Sequence, residues 1–329
     1  MRRREFITLL GAAAAWPLAV RAQQPTLPVI GFLNAASPDR FTDVVRAFRV
    51  GLSEMGYVEK QNVTIEYRWA EDQYDRLPGL AAELVRGPVS VITSGSNIRA
   101  ALAAKAATAT IPIVFLTGAD PVKEGLVRSL NRPGGNLTGI TTLNTELTPK
   151  RIEVLRELLS TTTTMALLVN PINAPDNVEI ELRQAKEAAD TLGMRAIQVV
   201  RASTDRELDG AFTNLMQMQA RGLVITADQF FSGRSAKLAA LASRYAIPTI
   251  SPYRDFVTTG GLMSYGGSIT ELYRLLGAYA GRILKGEQPA QLPVQQVTKV
   301  ELAINLKAAK ALGLPVPLTL LYRADEVIE

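Results

Sequence analysis

Val29 to Met55 reads VIGFLNAASPDRFTDVVRAFRVGLSEM. Its first five residues are an unbroken apolar run, the pattern of a strand buried on both faces of a parallel sheet. From Arg40 the period changes. Phe41, Val44, Val45, Phe48, Leu52 and Met55 fall on one face of a helix, and Gly56 stands at the C-cap position. Between strand and helix lies Asn34-Ala35-Ala36-Ser37-Pro38. A dinucleotide-binding fold would place Gly-x-Gly-x-x-Gly at this turn.

Working outward, the same alternation continues. Val63 to Trp69 alternates at period two and reads as a strand. Leu77 to Val85 is a helix, Val89 to Thr93 a strand, Ser96 to Ala107 an alanine-rich helix, and Ile113 to Leu116 and Leu137 to Thr141 are strands. A second pass begins at Pro149. Helices at Arg151–Leu159, Asp176–Leu192, Thr204–Met218 and Ala236–Tyr245 surround strands at Met165–Val169, Arg195–Val200, Leu223–Thr226 and Pro248–Ser251. Thr204 with Glu207 has the capping-box spacing. Two passes predict an α/β protein of two doubly wound units with parallel sheets. Leu262–Tyr265, a long helix at Ile269–Lys285, an extended stretch at Val294–Asn305 and a short helix at Leu306–Leu312 are too few for a third domain. They read as segments crossing back between the lobes. The expected division is 28–142 plus 266–287 for the first lobe and 143–265 plus 288–329 for the second.

Composition narrows the function. The 329 residues are 47% hydrophobic and 20% charged, as in an ordinary globular protein of two domains. There is no cysteine and no histidine. This excludes disulfides, thiolate metal sites, a Ser-His-Asp triad and the usual zinc ligands. Arg2, Arg3, Arg4 and Arg21 against Glu5 carry +3 of the net +5 charge, leaving +2 on the rest. A body so nearly neutral has no general attraction for nucleic acid. Met1 to Gln24 has a basic start, an apolar stretch from Ile7 to Val20 and small residues at Val20-Arg21-Ala22. This is the pattern of a secretory signal at 1–22, cleaved after Ala22. Arg3-Arg4-Glu5-Phe6-Ile7 favours twin-arginine export. The expected location is the periplasm.

Five stretches carry a resemblance. They are Ala101–Thr108 with Ile111-Pro112-Ile113-Val114-Phe115; Asp120-Pro121-Val122 with Gly125-Leu126-Val127; Arg132-Pro133-Gly134-Gly135-Asn136-Leu137-Thr138-Gly139; Gly260–Gly266 (GGLMSYG); and Ala324–Ile328 (ADEVI). With the exported start, they make the chain resemble the ABC-transporter substrate-binding proteins of the tryptophan/tyrosine-binding type. The resemblance implies a type I periplasmic-binding architecture: two Rossmann-like lobes, three crossovers and a ligand between them. It also implies an ABC permease in the inner membrane as partner.

In open α/β sheets, ligands sit beyond the carboxyl ends of the strands. The candidate residues follow from that rule. Asn34 and Ser37 follow the first strand. Ser94, Gly95, Ser96 and Asn97 follow the third, where Ser96 or Asn97 caps a helix whose N-terminus attracts a carboxylate. Thr117, Gly118, Ala119 and Asp120 come next, Asp120 either binding ligand or forming an Asx-turn before Pro121. In the second lobe, Asn170 and Asn173 offer amides. Asp228 with Phe231 offers a carboxylate and an aromatic face to an ammonium or an aromatic group. Tyr253 and Tyr265 also follow strands, lining the cleft or lying in the core.

The expected function is a solute receptor that closes like a hinge on an amino acid or related small acid, aromatic ones included. The receptor would be monomeric, with no catalytic residue, metal or cofactor. The alternatives are an extracytoplasmic sensor docking to a signalling partner and, less favoured, an α/β enzyme.

Overall fold

The computed structural model describes residues 27–329 except Ser96, Leu143, 160–163, Asn173 and Ala174, with no side chains described at 175–177. The signal segment, Ser96 and Asn173 therefore lie outside the described residues. Strands β1 (Val29–Asn34), β2 (Thr64–Trp69), β3 (Val89–Ser94), β4 (Ile113–Thr117) and β5 (Leu137–Thr141) form the first sheet in the order β2-β1-β3-β4-β5. Strands β6 (Thr164–Val169), β7 (Ala196–Arg201), β8 (Leu223–Ile225), β9 (Thr249–Ser251) and β10 (Met263–Gly266) form the second in the order β7-β6-β8-β9-β10. The two lobes repeat one topology without repeating a sequence.

The tail completes both sheets. β11 (Gln295–Gln296) adds to β5 in parallel. β12 (Glu301–Asn305) adds to β10 antiparallel, and β13 (Glu326–Ile328) adds to β12 in parallel. Two corrections follow. The second sheet holds one antiparallel pair, so it is not wholly parallel. The stretch from 288 was expected in the second lobe, but Leu292 and Val294 are packed in first-lobe cores and Gln295–Gln296 pairs with β5. The chain thus crosses between lobes near Thr142, Gly267 and Lys299, and these crossings lie side by side. A Cβ on Gly267 would stand 3.6 Å from the Lys299 carbonyl oxygen and 3.9 Å from Thr142 Cγ2.

Each first-lobe face is closed by a helix pair. On one face, Phe32 of the sheet packs with Phe48 and Leu52 of helix Thr42–Glu54 and Leu276 of helix Ile269–Leu284. Leu33, Leu84, Ala101 and Phe115 pack on the other. Helix Ile269–Leu284 comes late in sequence, yet it rests on Thr42–Glu54 so closely that both need glycine. A Cβ on Gly51 would lie 1.8 Å from the Arg274 carbonyl oxygen, and one on Gly277 2.0 Å from that of Phe48. The second lobe has two matching cores, around Phe212 and Phe256 and around Ile152 and Leu167.

Among the described residues, no helix is long and apolar enough to cross a membrane.

Candidate functional site

Both sheets reverse their strand order beside the first strand of each lobe, between β1 and β3 and between β6 and β8. Neighbouring connections there run to opposite faces and leave a crevice at the strands' carboxyl ends. The two crevices face each other, and four strand ends supply the residues between them: Asn34, Ser94, Asn170 and Thr226-Ala227-Asp228.

Asn34 is fully buried at the end of β1. Its Oδ1 accepts the Ala36 N–H at 3.0 Å and Gln229 Nε2 at 2.7 Å, and its Nδ2 donates to Tyr273 Oη at 3.0 Å. Gln229 belongs to the second lobe, so this amide pair bonds directly across the cleft. Asp228 caps the short helix Gln229–Ser232: its Oδ1 accepts the Phe230 N–H at 2.8 Å and Asn170 Nδ2 at 3.0 Å. Asn170 Nδ2 also reaches Tyr74 Oη of the first lobe at 3.4 Å. At the rim, Asp72 pairs with Arg234 at 3.0 Å and Arg40 at 3.6 Å, and Arg234 also holds Asp205 at 3.1 Å. Arg234 is only 9% exposed and lies 3.7 Å over the Phe230 ring.

This junction is not satisfied internally. Ser94 Oγ, Asp228 Oδ2 and Gln229 Oε1 are buried with no hydrogen-bond partner. They are three of the six such side-chain atoms among the described residues, and each costs about 1–3 kcal/mol when left unpaired. Burial pushes the Asp228 carboxyl up to about 6, against the opposing pull of the Asn170 amide and the Phe230 N–H. Burial also raises the hydroxyls of Tyr74, Tyr253 and Tyr273, so they act as hydrogen-bonding groups rather than bases. Beside the junction is a narrow cavity of about 30 Å³, lined by Leu116, Thr117 and Gly118 of one lobe and Ala227 and Tyr253 of the other. Thr142, Asn144 and Gly267 close it at the crossings.

Behind the cavity, Arg151 is wholly buried. It donates to the Tyr265 carbonyl at 2.9 Å, to the Asn144 carbonyl at 3.2 Å and to Asn144 Oδ1. Two crossings are thereby tied through one guanidinium. Thr148 Oγ1 accepts from Arg151 at 3.4 Å and donates to Glu181 at 3.1 Å. Burial pulls Arg151 down to about 10, still protonated at neutral pH, and lifts Glu181 to about 8.

Other expected residues have plainer places. Gly95 has Tyr273 Oη 2.4 Å and Asn34 Nδ2 2.5 Å from where a Cβ would stand, so only glycine fits against that pair. Asn97 is the cap of helix Ile98–Ala107, accepting the Arg99 N–H at 2.8 Å. Ser37 precedes the single turn Pro38–Arg40 without capping it. Thr117 Oγ1 accepts the Ala119 N–H at 3.1 Å, and the Ala119 carbonyl accepts from Thr141 Oγ1 at 3.0 Å.

Two open readings close and one changes. Asp120 takes the Asx-turn alternative: its Oδ1 accepts the Val122 N–H at 2.9 Å, and Lys123 Nζ stands 3.6 Å away. Phe231 is fully buried in the second-lobe core, edge-on to Phe230, and offers no face to the cleft. The Tyr265 ring packs on the other second-lobe core, and only its carbonyl takes part, through Arg151.

The sequence reading passed over Asp72, Tyr74, Gln229, Arg234 and Tyr273. Gln229 follows Asp228 directly, and Asp72 and Tyr74 follow β2, so the strand-end rule reaches all three. Tyr273 has no such signal, because it comes from a helix that returns from the far end of the chain.

Residues 29–328 match the family model described as ABC transporter substrate binding protein. The chain belongs to that family. The family is one of binding proteins, not enzymes, and its architecture here is that of type I periplasmic binding proteins. Among its relatives is the tyrosine-binding protein of Clostridioides difficile, 27% identical over 82% of this chain and 76% of its own. An ABC domain from Streptococcus pneumoniae in complex with L-Trp superposes with a TM-score of 0.81 at 23% identity, over 92% of this chain and 100% of that one. The ligand-free, open structure of a substrate-binding protein with adhesive properties from Clostridium difficile gives 0.63 at 22% identity, over 92% and 99%.

Proposed function

We propose that the protein is the solute receptor of an ABC importer and that it closes its two lobes on an amino acid. The observation that carries this reading is the junction itself. Ser94 Oγ from one lobe and Asp228 Oδ2 and Gln229 Oε1 from the other are buried, polar and unpaired where the two crevices meet. Two of the three accept hydrogen bonds only, and one belongs to a carboxylate. An α-ammonium supplies three donors and a positive charge. The N-terminus of helix Ile98–Ala107, beside Ser94, suits the ligand carboxylate. The narrow cavity past Ala227 and Tyr253 lies where the ligand's side chain would begin.

Two relatives support an aromatic amino acid: the tyrosine-binding protein and the domain holding L-Trp. The closer superposition on the latter than on the open relative supports reading this arrangement as the closed one. The N-terminal 22 residues direct export by the twin-arginine route, with cleavage after Ala22. The mature receptor works in the periplasm as a monomer and hands its ligand to a permease in the inner membrane.

Isothermal titration with the twenty amino acids, paired with small-angle scattering, tests the reading. The expected result is saturable heat with at least one amino acid, accompanied by a smaller radius of gyration. No heat and no compaction with any of them overturns it.

A further inference from the structure

Two of the crossings meet at one buried side chain. The first runs from Thr142 into the turn Asn144–Leu147, and the first lobe grips it. The Thr142 N–H donates to the Thr117 carbonyl at 3.2 Å, and the Thr145 N–H and Oγ1 both donate to the Gly118 carbonyl at 3.2 Å. The second lobe grips the same segment through Arg151, in helix Thr148–Leu159, which donates to Asn144 Oδ1 and to the Asn144 carbonyl at 3.2 Å. The second crossing leaves β10 at Gly266. A Cβ there would stand 2.0 Å from the Pro252 carbonyl oxygen, so the backbone is pressed on the second lobe up to this point and the crossing proper starts at Gly267. Immediately before it, the Tyr265 carbonyl accepts from Arg151 Nε at 2.9 Å. A guanidinium holds its donors in one rigid plane. Arg151 is wholly buried, so a donor that loses its acceptor has no water to replace it. The plane therefore fixes the Asn144 and Tyr265 carbonyls relative to each other.

We propose that Arg151 positions the closing of the lobes: it holds the first and second crossings in the one mutual setting that brings Gln229 to Asn34 and Asn170 to Tyr74. This rests on the closing-receptor reading above and deepens it. A hinge works through a few residues that absorb the change in φ and ψ. In the first crossing the two grips fall on neighbouring residues, Asn144 for the second lobe and Thr145 for the first. Parting the lobes shears the chain between them, at the expense of a bond to Arg151 or to Gly118. The setting with every bond made is the favoured one. Arg151 makes no hydrogen bond to Ser94, Asp228 or Gln229, so it acts through the crossings and is a positioning residue.

The chain has no cysteine. Val50→Cys and Met216→Cys, at exposed positions on the first and second lobes, therefore place one spin label on each. Double electron–electron resonance on the full chain reads the distance between them, with a mixture of the twenty amino acids as the probe. The otherwise unaltered protein is expected to settle at a single, narrow distance when the mixture is added. Arg151→Lys keeps the charge but cannot span both carbonyls with one plane. It should leave a broad distribution with the probe present and release bound amino acid about five- to tenfold faster in stopped flow. Thr145→Val removes one first-lobe grip from a half-buried position and should act in the same direction, by about twofold. A purely structural role would lower the melting temperature and leave the distance narrow. Arg151→Lys that closes to the parent's distance and releases at the parent's rate overturns the proposal while leaving the closing reading intact. If that variant does not fold, the same result in Thr145→Val overturns it. A parent whose distance does not respond to the mixture overturns both.

Discussion

Asp228 pays for its position. Its carboxyl is buried, shares one oxygen with Asn170 and Phe230, and leaves the other unpaired. Its folded value of about 6 lies above the ordinary value near 4 of an unfolded chain. Between those two values the folded protein keeps a proton that the unfolded chain has released. Stability contributed at this site is therefore lost as pH rises from about 4 to about 6, and is level above that. Asp228→Asn removes the buried charge. Thermal unfolding at pH 7 should show it more stable than the parent by about 1–3 kcal/mol, with a flatter profile across that window. Titration should show amino-acid affinity falling at least about tenfold, because the ammonium loses its counter-ion. In the parent protein, affinity should rise between pH 5 and 7 as the carboxylate forms. A variant both less stable and equally tight would mean that Asp228 is structural. The residue itself was legible as the first polar position past a strand. Its unpaired oxygen was not, since that depends on what arrives from the other lobe.

At the scale of elements, most of the chain declared itself. The strands of both passes lie within a residue or so of where the apolar runs put them, because buried parallel strands must be continuously apolar. Gly56, Gly193 and Gly286 end helices with positive φ, as their positions suggest. The capping box at Thr204 forms, and Glu207 also accepts the Ser203 N–H at 2.7 Å. The short helices Gln229–Ser232, Arg254–Thr258 and Leu318–Arg323 have too few turns to show a period, and they were missed. The pairing of helix Ile269–Leu284 with Thr42–Glu54 left a trace in the sequence only as glycines with no evident purpose. Gly277→Ala puts a methyl against the Phe48 carbonyl and should cost about 1–3 kcal/mol by denaturant unfolding. It should also disturb Tyr273, one turn away on the same helix, and hence Asn34. A neutral result would show that the helices can part at no cost.

At the scale of the whole molecule, the lobes are joined by three crossings and, at the rim, by charge. Asp72 and Arg40 face Arg234 and Asp205 across the opening. An exposed pair is worth little, about 0–1 kcal/mol, but Arg234 is almost covered and serves two carboxylates. The expectation is a modest bias toward closure. Asp72→Asn should loosen ligand binding about two- to fivefold, mostly through faster release. Raising the salt from 50 to 500 mM should reproduce part of this in the parent and little in the variant. Stopped-flow release rates check both statements. A salt response that survives in Asp72→Asn places the effect elsewhere.

The amino-acid sequence by itself determined the two passes of strand and helix, the strand ends that carry polar residues, and the chemistry that is unavailable without cysteine or histidine. These are local properties, written in periodicity and residue type. Only the tertiary structure decided which strand ends face each other and that Gln229 meets Asn34. It also decided that Tyr273 closes the site from the far end of the chain, and that Arg151 holds the first crossing to the second. Each of those joins residues from separate passes of the chain, and no period or spacing in a sequence encodes a contact between surfaces that meet only when two finished lobes fold together.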